Sequence, residues 1–198
     1  MSMPKPKGLL ILPLLILGAT AGYSQEPVNN LVISQVSLST TEPERNWIEV
    51  YNPSDKPLWL ERLRLSHFRT VNILPESVQK NGGIKVPAGG NIVICADEAA
   101  FSSLYGNDME LTVVPALLRL ADGGFIVIAT QGGQESRGCF VRYGKPGMSS
   151  KVSGLAGGQV VGFSEKGRSF RRELAKTIMG INLKGFVESP AVPGRRDK

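Results

Sequence analysis

Short apolar runs recur along the chain with turn-forming residues between them, and this pattern restricts the fold more than any other feature. The runs are LVISQVSL (31–38), NWIEVYN (46–52), PLWLERLRLSHF (57–68), VNIL (71–74), GNIVICA (90–96), ALLRLA (116–121), GFIVIAT (124–130), CFVRYG (139–144) and QVVGFS (159–164). The clusters NPSDKP, NGG, PAGG, DGG and QGG punctuate them. Regular short strands with Gly, Pro, Asn and Asp between them predict an all-β sandwich or barrel. The 23 glycines and 13 prolines fit many turns better than long helices. At 41% hydrophobic and 20% charged residues, the chain has the composition of a folded domain rather than a disordered one.

Side-chain alternation refines the strands. Ile48 and Val50 share one face, and Trp47, Glu49 and Tyr51 share the other. Leu58 and Leu60 are out of phase with Leu63 and Leu65, which predicts a bulge near Glu61 and Arg62. Phe125 to Ala129 is apolar throughout and reads as a central strand covered on both faces. DEAAFSSLYG (97–106) reads as a helix, capped by Asp97 and ended by Gly106. RRELAKTIMG (171–180) is expected to add one or two helical turns. Asn52-Pro53-Ser54-Asp55 is expected to be a turn between strands.

The N-terminus follows a different logic. Lys5 and Lys7 precede the uncharged run GLLILPLLILGATAGY (8–23), which contains Pro13. A membrane-spanning helix needs about 20 apolar residues. A basic start, an aliphatic centre and small residues after it predict a secretory signal peptide. Cleavage is expected after Ala21 or, preferably, after Ser24, which leaves Gln25 first and no stable membrane span. The division is then a signal at 1–24, a polar spacer at 25–30, one domain at 31–194 and a basic tail at 195–198. Lys5 and Lys7 would leave with the signal and lower the formal charge of +6 by two. Mild basicity suits a protein near anionic surfaces and does not by itself indicate nucleic-acid binding.

In an oxidising compartment Cys95 and Cys139 can pair. The alternative is two buried free thiols acting as small hydrophobes.

The residues for catalysis are sparse. His67 is the one histidine, so any Ser-His-Asp or Cys-His arrangement would have to use it, and its place in RLSHFRT reads as a turn. No His, Cys and carboxylate spacing resembles a zinc or iron site. A calcium site from Asp55, Asp97, Asp108 or Asp122 would lack the dense Asp/Asn/Gly loop that such sites use. The Gly-rich clusters lack the Lys-Ser/Thr of a phosphate loop and read as hairpin turns. Glu49 has no visible partner for general-base work. Arg62, Arg64 and Arg69 fall in one hairpin region. Lys166, Arg168, Arg171 and Arg172 cluster around Phe170, a composition that can contact a polyanion or form a solvated face.

Taken in order, these motifs resemble the lamin tail domain family. WIEVYNPSDKPLWLERLRL resembles its Trp-Ile/Val-Glu-Leu-Tyr-Asn-Pro signature and following strand. VPAGGNIVICAD is similar to its Pro-Gly-Gly turn and strand, and LRLADGGFIVIAT to its hairpin. CFVRYG matches an Asp-x-Val-x-Tyr-Gly stretch, with Cys139 in place of Asp. GRSFRRE and FVESPAVPG resemble the closing elements. The likeness runs from about Leu31 to Gly194. It departs at Leu63, where Trp is common, and at the longer insertion ESVQKNGGIK.

The resemblance implies an immunoglobulin-like β-sandwich and a non-catalytic module without a cofactor. In bacteria such modules are similar in context to secreted or envelope accessory units. The expected function is therefore binding, in the periplasm, envelope or exterior, to a protein or a surface polymer. The runner-up is polyanion or nucleic-acid recognition through Arg168, Phe170, Arg171 and Arg172. A metal-dependent hydrolase or nuclease using Glu49 and Asp residues is the contrasting class, against which the single histidine argues. An assembly subunit pairing through an exposed edge strand is a further alternative.

Overall fold

The computed structural model describes residues 30–66, 70–106, 112–130, 140–144, 160–165, 167–177 and 180–194. The expected signal, its cleavage sites and the 195–198 tail lie outside them, as do His67, Arg69, Asp108, Cys139 and Lys166.

Strand formation follows the alternation. In β1 (Val32–Ser37), β2 (Trp47–Tyr51) and β6 (Asn91–Cys95), Ile33, Val36, Ile48, Val50, Ile92 and Ile94 point to one face. In β3 (Leu58–Ser66), β8 (Gly123–Thr130) and β9 (Phe140–Gly144), Leu60, Leu63, Ile126, Ile128, Val141 and Tyr143 do the same. The two apolar faces close on each other as one continuous core. The structure is an all-β sandwich.

The first sheet has the order β12-β11-β1-β2-β6-β7, where β7 is Thr112–Pro115, β11 is Arg168–Thr177 and β12 is Gly180–Pro190. The second has the order β10-β9-β8-β3-β4, with β4 at Thr70–Asn72, β10 at Val160–Val161, and β5 (Ile84–Val86) also paired to β3. Most neighbours are antiparallel, but β6–β7 and β9–β10 are parallel. A parallel pair needs a crossover rather than a hairpin. For β6–β7 that connection includes helix α2 (Glu98–Tyr105). Asp97 caps it by accepting from the Ala100 amide, and Gly106 follows its last residue with φ 83°. Both ends fall where the sequence puts them.

The β3 bulge is also where alternation places it: the register with β8 shifts between Leu60 and Arg62. β8 lies inside its sheet and is buried from Ile126 to Thr130. The turn after β2 is built on Asn52, whose Oδ1 accepts from the Ser54 amide at 3.0 Å. Its Nδ2 donates to the carbonyls of Lys56 and Val86, tying the turn to β5.

Two expectations need correction. Residues 171–177 are not helical: Arg168–Thr177 is strand β11, which pairs with β1 on one side and β12 on the other. Tertiary pairing overrides a weak helical propensity there, and β12 itself was not foreseen. Residues 116–121 are not a strand, although Leu118 is buried. Leu118 N donates locally to Ala116 O at 2.8 Å, and the distant Asn46 Nδ2 donates to Leu118 O at 2.9 Å. The 76–85 insertion contains a short helix α1 (Glu76–Lys80), a turn ending at Gly83 and the start of β5. Gly83 has φ 102°, and a Cβ there would lie 2.3 Å from the Leu60 carbonyl oxygen, so only glycine fits.

Candidate functional site

Glu49 sits at the centre of the outer face of the first sheet, on a strand flanked on both sides. Its register partners are Gln35 on β1 and Val93 on β6. The β1–β2 register shifts between Ile33 and Gln35, so Ser34 is an extra residue on that side. The bulge brings the Ser34 hydroxyl onto Glu49, where it donates to Oε1 at 2.6 Å. The other carboxylate oxygen, Oε2, accepts from the Gly194 amide at 2.6 Å.

The segment that brings Gly194 there runs from Ala191, just past β12. The Ala191 amide donates to Gly167 O at 2.9 Å, and Arg171 Nη2 donates to Val192 O at 3.1 Å. Glu49 is therefore only 4% exposed, although it faces away from the core. A carboxylate with both oxygens engaged by the chain's own donors serves to hold the C-terminal segment. In this arrangement it is poorly placed to take a proton from a substrate. Beside it, Gln35 Nε2 donates to Ser169 Oγ at 2.5 Å, while Gln35 Oε1 is buried without a partner among the described residues.

The expected arginine cluster is divided between two faces. Phe170 pairs with Val36 and packs on the core. Arg172 shares that inward face. Its Nε donates to Ile33 O at 3.2 Å and its Nη2 to Phe140 O at 3.0 Å, so one guanidinium links the two sheets. It also lies 4.3 Å from the Phe186 ring centre. Arg171 faces the opposite way, beside Gln35, and holds Val192. Arg168 pairs with Glu188 at 3.1 Å on the surface. Strand alternation separates residues that look contiguous in sequence.

Cys95 also lies on the outer face of the first sheet, packed with Trp47, Val93 and Phe101 under α2. Trp47 meets Phe101 and Tyr105 edge-on, and its Nε1 donates to the Tyr105 hydroxyl at 3.1 Å. Cys95 is a free thiol there. Burial pushes it up to about 11, and the nearby carboxylates of Glu98 and Asp97 add to the rise. A thiol held neutral in the fold contributes stability that is complete below the unfolded thiol's value near 9 and is lost as the pH rises towards 11. In the reduced folded chain at pH 8, Cys95 is expected to resist iodoacetamide and to react once guanidinium unfolds it. Peptide mapping reads this directly, and rapid native labelling of Cys95 would contradict it.

The outer face of the second sheet gathers residues that sequence reading did not join. Arg62 stands opposite Ala129, Arg64 opposite Val127, Phe140 opposite Val127, and Arg142 opposite Phe125. The alternate positions, Leu63, Ile126, Ile128 and Val141, are core residues, so these seven lie on the other side of the sheet, where Val127 and Ala129 are nevertheless buried. The Phe125 and Phe140 rings lie 5.6 Å apart at 39°. Trp59, 37% exposed and opposite Lys85, is on the same side of β3. The signal was present as the period-two pairs Arg62/Arg64 and Phe140/Arg142, but only strand order makes them neighbours.

Of the other carboxylates, Asp97 is the α2 cap and Asp55 is exposed in the β2–β3 turn. Among the described residues no three His, Cys, Asp or Glu side chains gather as a metal site, and no helix is long and apolar enough to cross a membrane. No family model, curated protein or solved structure matches the chain.

Proposed function

We propose that the chain is an exported binding module of the cell envelope or exterior, without catalysis, built as an immunoglobulin-like sandwich of the lamin-tail type. The observation that carries this reading is the division of labour among its polar side chains. Glu49, Arg171 and Arg172 hold the chain together, whereas Trp59 and Arg62 are exposed on the outward side of β3. Such a face, on a framework with one packed core, suits recognition.

The test is to express the full chain in its native host and recover it from the cell exterior or envelope. Its N-terminus is expected at Gln25 or Gly22, and the recovered chain is expected to hydrolyse no phosphodiester with calcium, magnesium or manganese. An intact Met1 on the recovered chain overturns export by cleavage. Metal-dependent turnover overturns the non-catalytic assignment.

A further inference from the structure

We propose that the outer face of the first sheet carries a peptide site, filled in the folded chain by its own residues 191–194, and that it takes in their place a proline-glycine peptide with a hydrogen-bond donor in a side chain. This rests on the reading of the chain as a binding module and names the class of partner.

The polar ties on the segment are made to its main chain. Gly167 O accepts from the Ala191 amide at 2.9 Å, Arg171 Nη2 donates to Val192 O at 3.1 Å, and Glu49 Oε2 accepts from the Gly194 amide at 2.6 Å. Between the last two contacts comes Pro193, which is buried and has no amide proton to satisfy. Gly194 then takes φ 76°, a conformation that favours glycine. Ala191 packs against the cluster of Trp47, Val93, Cys95 and Phe101. These contacts read a pattern of small residue, any residue, proline and glycine. They do not depend on the segment's attachment to β12, so a separate chain of that pattern meets the same groups.

Gln35 marks the resident segment as an incomplete occupant. On β1 it is the register partner of both Glu49 and Arg171, so it stands between the two side chains that hold the segment. It is 1% exposed, and its Oε1 has no hydrogen-bond partner among the described residues. A buried acceptor left unpaired is costly. The side chains of Ala191, Val192 and Pro193 have no donor to offer it. A Ser, Asn or Lys side chain does, so an incoming peptide gains a hydrogen bond that the resident segment lacks. The resident segment has the advantage of its tether, which gives it an effective concentration of about millimolar order. The site is therefore closed to weak ligands and opens to a peptide that makes the additional bond, or when the segment is released.

The experiment titrates the isotope-labelled full chain with three acetylated peptide amides: Pro-Ala-Val-Pro-Gly, Pro-Ser-Ser-Pro-Gly, and Pro-Ala-Val-Pro-sarcosine, whose last residue lacks the amide proton that Glu49 accepts. The released form is the full-length Pro193→Asp/Gly194→Pro variant, which brings a carboxylate near Glu49 and removes both the amide proton and the glycine conformation. It is expected to bind the first peptide at least about tenfold more tightly than the parent chain does, and the serine peptide more tightly still. The sarcosine peptide is expected to lose at least about tenfold. In the parent chain the serine peptide should speed hydrogen exchange at the Gly194 amide, because it displaces the segment.

Absence of binding to the folded double variant overturns the proposal, as does equal binding of the sarcosine peptide. If the double variant does not fold, unchanged Gly194 exchange in the parent overturns it alone. A serine peptide no tighter than the chain's own sequence removes Gln35 from the recognition and overturns the donor requirement. Export with cleavage and absence of turnover are read separately and stand through any of these outcomes, so the peptide site and the module reading fail independently.

Discussion

Replacing Glu49 with alanine lowers the stability of the domain by about 2–4 kcal/mol, and its thermal midpoint falls by roughly 5–15 °C. The carboxylate accepts from the Ser34 hydroxyl and from the Gly194 amide, both at 2.6 Å, in a site almost closed to water. Alanine leaves both donors without that acceptor. The Ser34 hydroxyl retains the Glu49 carbonyl, 3.2 Å away, but the Gly194 amide loses its side-chain acceptor. Glutamine is the informative comparison. Its amide oxygen can face Gly194, and its NH2 can face Ser34, whose hydroxyl accepts as well as donates. Glu49→Gln is therefore expected to cost only about 1 kcal/mol. The alanine variant should also be cut faster by carboxypeptidase or trypsin near its C-terminus, since the segment from Ala191 loses one of its ties. Unchanged melting and unchanged cleavage in Glu49→Ala would show that the carboxylate does not hold that segment.

Much of this framework was legible in the sequence, for reasons that particular residues make plain. Ile48 and Val50 alternate with Trp47, Glu49 and Tyr51, so the burial of each face follows from the two-residue period. The β3 bulge was visible because Leu60 and Leu63 must both reach the core, three residues apart. Asp97 and Gly106 mark the helix ends through local capping chemistry.

Long-range pairing was not legible. Nothing local indicates that 168–177 is a strand, because its strand character depends on β1 and β12, far away along the chain. The bulge at Ser34 has no local signature either, yet it decides that a hydroxyl, not an empty edge, meets Glu49. Glu49 was therefore readable as outward-facing but not as buried. The cover comes from Gly194, 145 positions later. The Arg62, Arg64, Phe140 and Arg142 face was hidden for the same reason: β8 lies between β3 and β9 only in the folded sheet.

Arg172→Ala is expected to destabilise the sandwich by about 2–4 kcal/mol, whereas Arg168→Ala, four residues earlier in the same basic run, costs less than about 1 kcal/mol. The difference follows from direction. Arg168 meets Glu188 at the surface, where each partner is 40% or more exposed and water competes for both charges. Arg172 reaches between the layers, with one donor on the Ile33 carbonyl of the first sheet and another on the Phe140 carbonyl of the second. Its guanidinium also lies over Phe186, a contact that strengthens as water is excluded. Removal leaves two carbonyls without these donors and an unfilled volume beside a buried ring. Lysine is expected to recover little of the loss, because one ammonium cannot present the two separated donors of the planar fork. Urea denaturation of the three variants measures the ordering. If Arg172→Ala melted like Arg168→Ala, the guanidinium would not be the tie between the sheets, and the arginine run would revert to a surface feature. If the ordering holds, Arg171 and Arg172 in this basic stretch work as internal fastening, and only Arg168 of the three is left at the surface.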